Sequence, residues 1–264
     1  MKRLTFTAVL AIALAGTLAF LALPVVAVLV DSSPGALVAS LDDPGALDAL
    51  RLSLVASFSA LALTVLVGTP AAWLLATRRF RGHAVVVTLI ELPLVLPPAV
   101  AGIGLLAALG PEGILGPALE ELGVELVFAT AGVIVALVFV SSPFYIRAAQ
   151  AAFESLDRSI LEAARTLGAG EARTLVRIAI PTAAPGLLAG AALAWGRALG
   201  EFGATLVFAG SLRGTTQTAP LAIFERFSSD FRSAIALSAV LVAISAAILI
   251  SVKVATGGMG RAAR

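Results

Sequence analysis

Six almost unbroken apolar stretches, 4–30, 50–76, 84–109, 126–149, 182–209 and 234–254, are separated by shorter polar segments. At ~1.5 Å per helical residue each can cross a hydrocarbon core of about 30 Å. The pattern predicts an all-α polytopic membrane protein, a single transmembrane domain over 1–264 with six transmembrane helices. The first stretch follows Lys2 and Arg3 and outruns the ~7–15-residue apolar core of a signal peptide, so it reads as a spanning helix. Gly68 and Pro70 interrupt the second. The third contains ELPLVLPPAVAGIG, where Pro93, Pro97 and Pro98 remove backbone donors and predict a kink or break near mid-membrane. Such a break is tolerated only against protein or a cavity.

The connecting segments differ in character. Asp31 to Asp48 carries four aspartates and Ser-Pro-Gly and Asp-Pro-Gly turns, Pro111 to Glu125 carries four glutamates, and 210–232 is a mixed loop. Residues 153–181 form the long polar insert between the fourth and fifth stretches. Asp157 or Ser159 can cap a helix there, with Ser159 and Glu162 at capping-box spacing. Leu156, Ile160, Ala163, Ala164 and Leu167 recur every three or four residues as its apolar face, opposite Arg158, Glu162 and Arg165. Gly168 suits the left-handed residue that ends a helix. A second amphipathic helix from Glu171 leads to Pro181, which suits the start of the fifth span. The expected result is a helical hairpin with a small-residue tip, or else an amphipathic loop lying on the membrane.

Composition narrows what such a protein can do. Of 264 residues 59% are hydrophobic and 13% charged, with a mean hydropathy of +1.04, which a soluble domain could not carry without large exposed apolar patches. Cysteine is absent and His83 is the single histidine, so thiolate metal sites and imidazole clusters are excluded. Lysine occurs only at Lys2 and Lys253, neither in a phosphate-loop context, so the chain has no Walker A motif. If ATP drives it, another subunit binds the ATP. With both termini inside, 13 of the 18 basic residues fall on the inner side, among them Arg78, Arg79, Arg81, Arg147 and Arg158, against four outside: Arg51, Arg213, Arg226 and Arg232. The positive-inside rule therefore puts the polar insert and both termini in the cytoplasm.

A few polar residues stand within the apolar stretches. Gly186/Gly190 and Gly196/Gly200 are small-xxx-small spacings suited to close helix packing. Arg197 and Glu201 lie four apart on one helix face, either as a paired structural bridge or lining a polar route. Glu91 precedes the proline break and has no obvious partner in sequence. Gly102-Ile-Gly104 resembles part of a dinucleotide fingerprint but lacks the strand and helix around it.

Glu162-Ala163-Ala164, three residues, Gly168, nine residues and Ile178-x-Ile180-Pro181 resembles the EAA signature of membrane subunits from binding-protein-dependent ABC importers. The resemblance implies a coupling helix in which Glu162, Ala163, Ala164, Leu167 and Gly168 dock an ATPase subunit. LPLVLPPAVAG, SSPFYIRAAQAAFESLD, WGRALGEFGATLVFAG and RGTTQTAPLAIF together resemble permeases of the molybdate/tungstate ABC importer group over most of residues 50 to 250. GEFGA is shared with sulfate permeases, so a sulfate or thiosulfate importer is the alternative. What the resemblance implies is a type I ABC importer transmembrane fold and an oxyanion path or gate for which Pro93, Pro97, Pro98, Arg197 and Glu201 are the candidates. It also implies a second permease subunit as homodimer partner, two cytosolic ATP-binding subunits and an extracytoplasmic oxyanion-binding protein in the cell membrane. No cofactor is expected on this chain, ATP and Mg belonging to the partner subunit, and the chain is not expected to be an enzyme. A secondary transporter would need intramembrane ion-coupling groups and often repeated broken helices, of which the chain offers few.

Overall fold

A computed structural model of the chain describes residues 2–262, and the side chains of all of these except 2–5, 34, 253 and 255–262. Lys2, Arg3, Lys253, Arg261 and Arg264 from the basic-residue count therefore lie outside the described side chains. Every described element is helical: α1 (Lys2–Asp31), α2 (Pro34–Asp42), α3 (Pro44–Thr77), α4 (His83–Val95), α5 (Pro98–Leu109), α6 (Gly116–Glu121), α7 (Thr130–Glu154), α8 (Arg158–Thr166), α9 (Glu171–Thr174), α10 (Ile180–Leu199), α11 (Gly203–Ala209), α12 (Ala219–Ser229) and α13 (Phe231–Ala262). A π-helical turn, Leu175–Ala179, joins α9 to α10.

Five of these helices, or helix runs, are long and apolar enough to span a membrane: Phe6–Asp31, Pro44–Thr77, Thr130–Glu154, Glu171–Leu199 and Phe231–Val252. The pair α4 and α5, bent by 118° at Leu96–Pro97, is the sixth. Side-chain contacts show which end of the bundle each helix reaches. At one end Asp43 pairs with Arg226, the Ser53 hydroxyl accepts from the Ala219 N–H at 2.7 Å, and Thr130 donates to the Thr215 carbonyl at 2.8 Å. At the other end Arg78 pairs with Glu171 and His83 Nε2 lies 3.0 Å from the Leu75 carbonyl. The chain enters α4 at this second end, yet Leu109 packs with Leu126 and Val127 beside the start of α7 at the first. The bent pair thus carries the chain across, completing six crossings.

Several boundaries differ from the periodicity reading. The two Xaa-Pro-Gly sequences start helices instead of making turns: Ser33 accepts from the Ala36 N–H, Asp43 from the Gly45 N–H, and Pro34 and Pro44 occupy first positions where no donor is needed. The expected loops at 31–48, 111–125 and 210–232 contain α2, α6 and α12. Gly68 and Pro70 do not interrupt α3; Gly68 makes room for the Tyr145 ring, whose Cδ1 would lie 3.0 Å from an added Cβ, and the Tyr145 hydroxyl meets Thr69 Oγ1 at 2.6 Å. The fifth span begins at Glu171, before Pro181, and stops at Leu199 instead of running through 209. Pro93 sits inside α4 without breaking it; Leu96, ahead of Pro97, is extended as residues before proline are, and the break falls there.

The core is the packing of α7 between α3 and α10. Lipid offers no hydrophobic drive for helices to associate, so small residues and close backbones supply the attraction. Ala56, Ala60, Ala72, Ala149, Ala183 and Ala194 are buried along these faces. Gly186 and Gly190 lie against Ala152 and Ala148, whereas Gly196 faces open space. At the end holding α12, Arg213 and Gln217 donate to Glu225, and Arg226 to Asp43. Arg213 holds the Glu225 carboxyl below its usual range despite some burial. Burial pushes Asp43 up, but the Gly45 N–H and Arg226 outweigh it and the net shift is down.

Gly190→Val would place side-chain atoms where a bare Cβ already lies 2.7 Å from Ala148. It should destabilise the detergent-solubilised protein by roughly 1–3 kcal/mol, read from its melting profile, whereas Gly196→Ala should leave it unchanged. Carboxylates with lowered folded-state pKa contribute stability that is present above their unfolded value and lost as pH falls through the folded one. Hydrogen exchange in α12, corrected for intrinsic rate, should therefore stay constant from neutral pH to about 5 and rise below about 4.

Candidate functional site

The polar insert builds a helix that stands apart from the bundle but is anchored to it. Asp157 caps α8, its carboxylate accepting from the Ser159 N–H at 2.9 Å, and that hydrogen bond lowers its pKa. Ser159 is inside the helix, so the expected capping box with Glu162 does not form. The helix ends as a Schellman motif: Gly168 has φ +78°, its N–H reaches the Arg165 carbonyl at 2.9 Å, and the Ala169 N–H reaches the Ala164 carbonyl at 3.0 Å. Only a residue free of Cβ strain suits that φ.

Leu161 and Ala164 turn inward and are buried; Leu161 joins Ala72, Trp73 and Phe153 in a cluster, with Trp73 and Phe153 edge to face at 5.3 Å. This corrects the predicted apolar face. Of Leu156, Ile160, Ala163, Ala164 and Leu167, only Leu156 and Ala164 pack inward; Ile160, Ala163 and Leu167 are exposed, Leu167 at 87%. Two apolar stripes overlap on one short helix, and the register set by the Asp157 cap gives the bundle the stripe through Leu161. The other stripe, flanked by exposed Glu162, faces away from the bundle and is uncovered by the rest of the chain. Thr77, Arg79, Glu154, Arg158, Glu162 and Arg165 line part of a cleft of about 440 Å³ between α8 and the ends of α3 and α7.

The proposed path residues divide into two places that meet. Arg197 Nη1 lies 2.6 Å from Glu201 Oε2, with Glu201 1% exposed, and Glu201 Oε1 accepts from the Ala204 N–H at 2.8 Å. Glu201 thus spans the break between α10 and α11, one oxygen neutralising Arg197 and the other satisfying an amide of the new helix. Pro98 is the first residue of α5, and its Cβ would lie 2.8 Å from a Cβ at Gly203; Gly102 lies as tightly against Ala204 and Val207. The two chain breaks, at Pro97 and at Glu201, therefore pack against each other. Pro93 lies within α4, on the other side of the break from this contact.

Sequence reasoning left Glu91 unpartnered, and the structure pairs it with Arg147 Nε at 2.8 Å. Arg147 Nη1 also donates to Gln150 Oε1 at 2.6 Å, and Gln150 Nε2 to Glu154 Oε1 at 2.9 Å. The signal was present in RAAQAAFE, whose 3 and 4 spacings put Arg147, Gln150 and Glu154 on one helix face. Which face met α4 was not readable from it.

Residues 65–259 match the family model described as the binding-protein-dependent transport system inner membrane component. The chain is 40% identical over 240 residues to the molybdenum transport system permease protein ModB of Mycobacterium tuberculosis, covering 91% of this chain and 90% of that one. It is 34% identical over 220 residues to the sulfate transport system permease protein CysT of Salmonella typhimurium, covering 83% and 79%. A solved bacterial ABC transporter involved in import of the acidic polysaccharide alginate superposes with TM-score 0.77 at 17% identity, over 97% of this chain and 96% of that one, a likeness of fold. The family match and the relatives agree in kind with the six-crossing bundle: the chain belongs to the binding-protein-dependent transport system inner membrane components, the non-catalytic permease subunits of ABC importers.

Proposed function

We propose that this permease imports a tetrahedral oxyanion, molybdate or tungstate before sulfate, and takes its energy from ATPase subunits docked on α8. The observation that carries the coupling part is the outward stripe of Ile160, Ala163 and Leu167 on a helix separately capped at both ends and rooted in the core through Leu161. A rigid helix with an uncovered apolar edge fits a groove in another protein. Glu162, Ala163, Leu167 and Gly168 lie on the exposed side, while Ala164 holds the helix to the bundle. The basic residues around it favour placing this end in the cytoplasm. ATP and Mg would bind in the partner subunits, a second copy of the chain would complete the path, and a binding protein would deliver the anion to the end holding α12. The higher identity and wider coverage of the molybdenum permease relative supports molybdate over sulfate.

In this reading Arg197 and Glu201 hold the corner of the gate, because both oxygens of Glu201 are engaged within the chain. ATP-driven closure of the partners would favour one state of the permease over the other, with α8 as the physical link.

Glu162→Lys combined with Gly168→Pro should abolish co-purification of the ATPase subunits; retained binding would overturn the docking reading. For substrate, the assembled complex with its binding protein should hydrolyse ATP faster with molybdate or tungstate, and stimulation by sulfate alone would reverse the assignment. Glu201→Ala leaves Arg197 without its partner and should cost roughly 3 kcal/mol in a melting experiment. Glu201→Gln, which still accepts from Ala204, should cost clearly less.

A further inference from the structure

We infer that Arg147 and Gln150 are positioning residues that tie α4, the first half of the bent span, to the root of α8, so that displacement of the docking helix reaches the gate through a ladder of polar side chains. Its rungs are Glu91 Oε1 to Arg147 Nε at 2.8 Å, Arg147 Nη1 to Gln150 Oε1 at 2.6 Å, and Gln150 Nε2 to Glu154 Oε1 at 2.9 Å. The inference rests on the reading of α8 as the docking helix.

Three observations carry it. First, α4 is weakly held: it contains no fully buried residue, and its main neighbour is α7. Among the described residues, the Glu91–Arg147 pair is the ionic tie between α4 and the bundle. Glu91 stands five residues before Leu96, where the chain bends by 118° into α5, and α5 packs on α11 at the proposed gate. Second, the lower end of the ladder is the last residue of α7. Glu154 lines the cleft under α8 together with Arg158, Glu162 and Arg165. Third, the ladder has one direction. Gln150 is 4% exposed and sits between a guanidinium, which only donates, and a carboxylate, which only accepts, so its amide has a single orientation. Arg147 uses two different nitrogens for its two partners, which a lysine could not reproduce with a fixed fork. A side chain built only to neutralise Glu91 would not need Gln150 beneath it.

The test uses the complete complex, permease with ATPase subunits and binding protein, in proteoliposomes. Uptake of whichever oxyanion stimulates its hydrolysis is measured per ATP consumed. Glu91→Leu and Gln150→Leu should each lower that ratio on the order of tenfold, with hydrolysis continuing and the ATPase subunits still bound. Glu91 and Gln150 do not touch, so independent roles would multiply, whereas one ladder predicts a double variant no worse than either single one. Should Glu91→Leu fail to assemble, Glu91→Ala serves in the same comparison. An unchanged ratio, multiplying effects, or loss of the ATPase subunits from both the substitute Glu91 variant and Gln150→Leu would each overturn the inference. A failed docking reading shows itself differently, as subunits that remain bound to the Glu162→Lys, Gly168→Pro protein.

Discussion

A backbone amide left without a partner in hydrocarbon costs several kcal/mol, and this constraint governs where the chain can stop being a helix. It stops within the bundle at Leu96–Pro97 and at Gly200–Phe202. Prolines remove the donors at the first break, and the buried Glu201 carboxylate supplies an acceptor at the second. Because α5 and α11 then pack together through Gly102 and Gly203, each break is covered by the other. Irregular backbone at this depth is therefore concentrated in one region, the region proposed above as the gate.

The spans were legible because length and hydropathy alone select them in a membrane. Their ends were less so: Ser33-Pro34 and Asp43-Pro44 carry both turn and helix-start chemistry, and periodicity cannot choose between the two. The proline cluster announced a break, but three prolines offered three positions, and the fold places it at Pro97. For α8 the left-handed Gly168 and the hairpin were readable from local chemistry, and the cap was narrowed to Asp157 or Ser159. Its inward face was not, since nine residues held two overlapping apolar stripes. Long-range partners such as Glu91 with Arg147, or Asp43 with Arg226, depend on how helices are rotated against one another, which one chain's pattern does not specify.

The permease separates its tasks by the way each helix is held. The α3, α7 and α10 core is packed through small residues and has no slack for shape change. By contrast α4 is held mainly at one face, and α1 is exposed along nearly its whole described length. The packing is therefore densest around α7, with α1 and α4 held less closely at the periphery.

The π-helical turn before Pro181 has a consequence for this arrangement. It holds one residue more than an α-helix needs to climb the same distance, with the Ile180 N–H bonded to the Leu175 carbonyl. Removing a single residue there would restore regular winding and leave α10 seated in the core. Everything upstream as far as Glu171 would then keep nearly its present bearing, because the extra residue is taken up in the widened turn itself. The bulge thus acts as a splice: it takes up a one-residue mismatch between the hairpin and the span, so that each keeps its own seating.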